Sequence, residues 1–297
     1  MLKGRLGLEK ARIPHSDRHG LLWLSRGELC VIDGCLHFLR GRDSLTPGLD
    51  QIPHQAVSMI LLGPGGSVTQ DALRLLARHG TLLAAVGEDG VRSYTAPPLL
   101  PDRSDVARRQ AELWGNPRRR ISVARHMYAL RLGEVLPHRE LSTLRGIEGA
   151  RVKNMYRLMA DKYDLKWSGR HYDRANPNAT DIPNQAINHA ATAVQAAAAI
   201  AVQALAALPP LGFIHEDSGQ SFVLDIADLY REKITLHIAF TAAKQAENSD
   251  QTIDRLVRRE AALIFRKQQV IAAMIDSIKK ILRMDELGDG TSRSRDS

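Results

Sequence analysis

Up to about residue 95, apolar residues come in short runs or alternate with polar ones; beyond it they recur every three to four positions. The first pattern predicts strands and the second helices. Leu21–Leu24 is a short apolar strand. Glu28–Ile32 and Cys35–Leu39 flank Asp33-Gly34, a two-residue hairpin turn. Val57–Leu62 is another apolar run, stopped by Gly63-Pro64-Gly65-Gly66. That glycine-rich stretch lacks the Lys-Ser/Thr of a phosphate loop and reads as a turn. Thr69 then caps a short helix with Leu73, Leu76 and Ala77 on its buried face and His79-Gly80 at its end. Thr81–Val86 and Val91–Tyr94 form a second hairpin around Glu88-Asp89-Gly90.

Pro97, Pro98 and Pro101 mark a boundary, because the residue before a proline is pushed out of the helical region. Beyond them six helices are expected: Arg103–Trp114, Pro117–Glu134, Glu140–Tyr163, Asn184–Leu208, Ser221 towards Gln245, and Ile253–Met284. A polar loop, Lys166–Asp181, separates the third from the fourth. The expected fold is α+β: a small β-rich N-terminal domain over 1-96, a larger all-helical C-terminal domain over 97-287, and a disordered tail over 288-297.

Composition narrows the class. With 297 residues, 44% of them hydrophobic, the chain can fill a substantial core. No apolar run is long enough to cross a membrane; the richest stretch, Ala190–Leu208, is mostly alanine broken by Gln195 and Gln203. The N-terminus lacks the apolar core of a signal peptide, so a cytoplasmic location is expected. Cys30 and Cys35 are diagonal neighbours across the predicted hairpin, about 7–8 Å apart at Cα, too far for an easy disulfide. The net charge of +8 favours a polyanion partner. Arg103, Arg108, Arg109, Arg118, Arg119, Arg120, Arg125 and Arg131 form a run with few acids, which suits a solvated face or a phosphate-contacting stripe.

Candidate chemistry lies in the helical half. His215 sits in a Gly- and Ser-punctuated loop, and Asp225 and Asp228 lie three apart on one helical face. Two such acids favour a cation or a shared proton between them. Farther upstream, Arg145-Gly146-Ile147-Glu148-Gly149-Ala150-Arg151 flanks one carboxylate with two glycines, a costly choice in a helix that suggests close approach by a ligand or another helix. Arg145 and Arg151 lie near Glu148 and could grip a phosphate. Carboxylates with one imidazole suit Mg²⁺ or Mn²⁺ better than Zn²⁺. The bland alternatives are a loop histidine, an Asp225 that favours the helix dipole, and an Asp228 paired with Arg231.

These motifs, with Gly212-Phe213-Ile214-His215 and Ser221-Phe222-Val223-Leu224-Asp225-Ile226-Ala227-Asp228, resemble the CRISPR-associated adaptation integrase, the first Cas protein, in its Cascade-type I-E branch. Val31-Ile32-Asp33-Gly34, Gly87-Glu88-Asp89-Gly90-Val91-Arg92 and Gly169-Arg170-His171-Tyr172-Asp173 extend the resemblance. It implies a divalent metal held by Glu148, His215 and Asp228, with Asp225 a further acid of the catalytic site. It also implies DNA contacts at Arg92 and Tyr172, beside the phosphate role read for Arg145 and Arg151. The implied assembly is a homodimer, two of which flank a dimer of the small second Cas adaptation protein and carry a double-stranded prespacer. The implied reaction is transesterification of prespacer 3′-hydroxyls into the CRISPR repeat. Ser218, Leu224 and Arg26 depart from the family pattern, at a lysine, a tyrosine and an aromatic position. A stand-alone metal-dependent nuclease of branched DNA and a non-catalytic DNA-binding scaffold are the competing functions.

Overall fold

The computed structural model describes residues 20–41, 48–95, 104–135, 137, 140–171, 180–216 and 218–282. A β-rich N-terminal region is followed by a helical C-terminal one, as the apolar periodicity predicts. β1 (Gly20–Leu24) and β5 (Val57–Leu62) run parallel, and β7 (Leu82–Ala85) adds to the other edge of β5 in the same direction. The hairpin of β2 (Gly27–Ile32) and β3 (Cys35–Arg40) has the predicted register, Ile32 opposite Cys35 and Val31 opposite Leu36, and both cysteines are free. Two short strands the sequence pattern did not reveal, β4 (Leu49–Gln51) and β6 (Gly66–Val68), extend it to the order β4-β3-β2-β6. Each has three residues, too few for an alternation to show.

β5 is buried at all six positions. Its alternation divides two cores. Met59 and Leu61 pack into the core of the helical region, whereas Ile60 and Leu62 pack with Leu29, Leu36, Phe38, Ala72 and Leu76. The last two belong to α1 (Gln70–His79), capped by Thr69 and ended by Gly80 in the left-handed conformation. Leu73, expected on the buried face, is 44% exposed; small Ala72 beside Leu76 lets α1 settle on the strands instead.

The predicted second hairpin forms in part, with Tyr94 N–H donating to the Ala85 carbonyl and Gly87 N–H to that of Arg92. β7 runs parallel to β5, and the returning stretch keeps one isolated bridge, Val86 to Ser93. The turn between them is clamped. A Cβ on Gly90, whose φ is +78°, would sit 2.6 Å from the Trp23 ring and 3.2 Å from Ile271.

The helical region contains α2 (Asp105–Gly115), α3 (Pro117–Leu132), α4 (Leu141–Lys162) and α5 (Ile182–Ala204). Asn116 caps α3 ahead of Pro117, and Asp181 caps α5. Alanine-rich α5 packs against α6 (Ser221–Leu229), α7 (His237–Ala246), α8 (Ile253–Gln268) and α9 (Val270–Leu282), where its small side chains permit close approach. A π-helical turn, Arg231–Leu236, joins α6 to α7 in place of one regular helix. The expected helix Ile253–Met284 is broken at Gln269, which has φ +49°. Neither Gly nor Pro marks the break, and the apolar spacing runs through it. The boundary at residues 96–103, the tail 288–297 and Tyr172 lie outside the described residues. Among the described residues no helix is long and apolar enough to cross a membrane.

Candidate active site

Asp225 is fully buried and organises the loop before α6. One of its oxygens accepts the backbone N–H groups of Phe213 (2.6 Å) and Ile214 (3.0 Å). The other accepts the N–H of His215 (3.0 Å) and faces its Nδ1 at 2.7 Å. Phe222, one turn earlier on α6, packs edge-on against Phe213. A carboxylate at Nδ1 fixes the ring with its proton there and leaves the lone pair on Nε2. Asp225 is therefore a positioning residue for the loop and for the His215 ring.

The bond to Asp225 raises the pKa of His215, with partial burial opposing and Asp225 and Asp228 adding attraction. A raised folded-state pKa stabilises the fold below the unfolded value near 6.5 and loses that contribution as pH climbs through the folded value. Without metal, the melting-temperature gap between wild type and His215→Ala is expected to narrow from about pH 5.5 to about pH 8. A gap that widens over that interval would contradict the pairing.

Gly212 makes the loop possible. A Cβ there would lie 2.4 Å from the His215 carbonyl oxygen and 2.7 Å from Ser221 Cβ, both fixed parts of the loop and helix. Gly212→Ala is expected to cost about 2 kcal/mol by overpacking, read from denaturant unfolding; an unchanged midpoint would contradict it.

Asp228, one turn after Asp225, meets Glu148 of α4 across a buried arginine. Arg131, at the end of α3, places Nη1 2.6 Å from Glu148 Oε1 and 3.3 Å from Asp228 Oδ2. Arg231 binds the other Asp228 oxygen, so the bland pairing read from sequence is present as well. Burial disfavours the Arg231 charge, but Asp228, Tyr156 and Glu148 outweigh it and raise its pKa. Burial, then the nearby Glu148 carboxylate, pushes the Tyr128 hydroxyl up to about 12.

Arg145 and Arg151 do not pair with Glu148. Arg145 donates to the Ile214 carbonyl at 2.5 Å, supporting the histidine loop, and Arg151 pairs with Glu134 at the surface. A Cβ at Gly146 or Gly149 would meet nothing within 4 Å, so no helix crossing explains them and that face of α4 is open.

Among the described residues no three His, Cys, Asp or Glu side chains are gathered closely enough to grip a metal as they stand. Glu148 and Asp228 do converge, and His215 lies within the electrostatic reach of Asp228. The donors suit a hard divalent ion. Glu148, Asp228 and His215 are donor types such an ion takes, and in this structure Arg131 stands between the two carboxylates.

Other expected contacts are partly committed elsewhere. Arg92 pairs with Asp254 of α8 at 2.8 Å, and its side chain is 39% exposed. Asp254 also bonds Arg258 and faces His189, whose pKa burial lowers despite that carboxylate. The arginine run is divided: Arg109 and Arg120 are tied to Leu282 and Glu216, and Arg108 and Arg118 are exposed. Sequence reading placed Arg131 in that run and missed its site role. A signal existed, since Val123, Ala124, Met127, Tyr128 and Arg131 follow one helical stripe whose apolar members are all buried.

Residues 128–268 match the family described as CRISPR associated protein Cas1. The chain is 36% identical to the CRISPR-associated endonuclease Cas1 of Escherichia coli strain K12, over 93% of this chain and 88% of that protein. It is 34% identical to the protein of the same description from Geobacter sulfurreducens, over 91% and 86% respectively. Among solved structures, TtCas1 in a DNA complex superposes with a TM-score of 0.81 at 30% identity, covering 90% of this chain and 98% of that one. A casposase bound to integration product shares the fold, with a TM-score of 0.65 at 15% identity.

Proposed function

Because the chain belongs to the CRISPR-associated Cas1 family of endonucleases, we propose that it acts in spacer acquisition, joining prespacer 3′-hydroxyls to the CRISPR repeat by metal-dependent transesterification. The observation that carries this reading is the convergence of Glu148 and Asp228 on one buried cation, beside a histidine whose Nδ1 is held by Asp225.

Glu148, His215 and Asp228 would hold Mg²⁺ or Mn²⁺. When bound, such an ion supplies Lewis-acid stabilisation of charge on a phosphate. The chain's own residues do the rest. Asp225 keeps the proton on His215 Nδ1, so Nε2 is the ring nitrogen available for ligation. Arg231 fixes the orientation of Asp228. Gly146 and Gly149, two residues before and one after Glu148, keep the exposed side of α4 free of bulk for an approaching DNA backbone. The substrate's own 3′-hydroxyl is the nucleophile of this reading, so no covalent protein nucleophile is needed.

The family resemblance and the DNA complex of a relative support duplex DNA as the partner. Arg92, Arg145, Arg151 and Tyr172 are the proposed contacts. The working assembly is a homodimer, doubled around the small second Cas protein in the cytoplasm, and the I-E branch is the proposed subtype. The test is one labelled duplex incubated with a CRISPR-repeat plasmid, with and without Mn²⁺ and the small partner. Metal-dependent joined product is expected. Nicking without joining would favour the stand-alone nuclease, and metal-independent binding alone would favour the scaffold.

A further inference from the structure

We propose that Arg131 is a displaceable resident cation: it occupies Glu148 and Asp228 in the metal-free protein, yields them to the ion, and then pairs with a DNA phosphate. This rests on the metal-site reading above. Among the described residues, Arg131 is the one guanidinium that touches both carboxylates, whereas Arg231 touches Asp228 alone.

Charge drives the exchange. Two carboxylates and two guanidiniums sum to zero in a site where the Arg131 side chain is 7% exposed, Glu148 17% and Asp228 16%. A divalent ion entering that poorly solvated site adds two positive charges that nothing balances. The excess is relieved when Arg131 withdraws and an anion arrives. Arg131 is prepared for the anion, because its Nη2 is buried without a hydrogen-bond partner. An unpaired buried donor costs free energy, and a phosphate would satisfy it through the two-pronged geometry a guanidinium favours. Arg131 also has no other acidic partner among the pairs the described residues make.

The consequence is coupling. Metal alone must displace a built-in competitor and binds weakly. Metal with DNA leaves that competitor a new partner and binds tightly. By linkage, metal must raise DNA affinity by the same factor.

The experiment measures Mn²⁺ affinity calorimetrically on the full metal-free chain, with and without a short duplex. Wild type, Arg131→Met, Arg131→Lys, Glu148→Gln and Asp228→Asn are compared, each checked for folding by circular dichroism. Duplex is expected to tighten Mn²⁺ binding by wild type about tenfold or more, the change that about 1.4 kcal/mol gives. Arg131→Met is expected to bind Mn²⁺ about tenfold tighter than wild type without DNA and to lose most of the DNA-induced gain. Arg131→Lys, which keeps the charge, should stay close to wild type without DNA. The proposal is overturned if folded Arg131→Met binds no tighter, or if duplex leaves the wild-type affinity unchanged. The wild-type measurement decides even if Arg131→Met does not fold. In either case a loss of Mn²⁺ binding in Glu148→Gln would leave the metal site standing. Wild-type affinity in both Glu148→Gln and Asp228→Asn would overturn the site and the proposal together.

Discussion

Asp228→Ala is expected to abolish strand joining, by about a thousandfold or more, while duplex binding persists. The reason is local. Asp228 is one of the two carboxylates that meet at Arg131, and its second oxygen is held by Arg231. The exposed basic residues, Arg108 and Arg118 among them, lie elsewhere in sequence and do not use it. Alanine also strips Arg231 of its acid, so some loss of stability is expected along with the loss of joining. Asp228→Asn separates the two effects, because it keeps the shape and one acceptor oxygen while removing the charge. Gel analysis of joined product and a filter-binding titration measure the two quantities. Joining by Asp228→Asn at the wild-type rate would exclude Asp228 from the chemistry.

The second large effect is structural. Asp225→Ala leaves the N–H groups of Phe213, Ile214 and His215 without their acceptor, in a loop where Phe213 is fully buried and Ile214 nearly so. At about 1–3 kcal/mol for each abandoned donor, with part of the loss recovered by relaxation, the expected cost is about 4 kcal/mol. That corresponds to a melting point lower by roughly 10 °C in a chain of this size. Differential scanning calorimetry in chelator measures it free of any metal contribution. A melting point within about 2 °C of wild type would mean that Asp225 does not hold the loop. Asp225→Asn should fall between, since its amide turns a donor towards donors.

Much of this was legible beforehand. The Asp33-Gly34 hairpin and its register followed from turn chemistry, and the helical half followed from apolar spacing. The acids at 225 and 228 were correctly placed on one helix, but their division of labour was not written in the spacing. It depends on the loop at 213–215 folding back over the first acid, a contact ten to twelve residues away in sequence. Arg131 was harder still, because its partners are 17 and 97 residues distant and one arginine in a basic run looks like the next. The parallel pairing of β1 and β7 onto β5, and the left-handed Gln269, are likewise decided by tertiary neighbours. Local propensity carries no record of them.

β5 shows what such sharing demands of a chain. In an ordinary half-buried strand, one alternate set of side chains answers to packing and the other is free to drift. Here Ile60 and Leu62 pack in the core of the N-terminal region, while Met59 and Leu61 pack in that of the helices. Four consecutive positions, Met59–Leu62, therefore hold two packing codes, interleaved residue by residue. A single-residue slip of this strand would corrupt both messages at once, so the alignment of the sheet and the seating of the helices are inherited together.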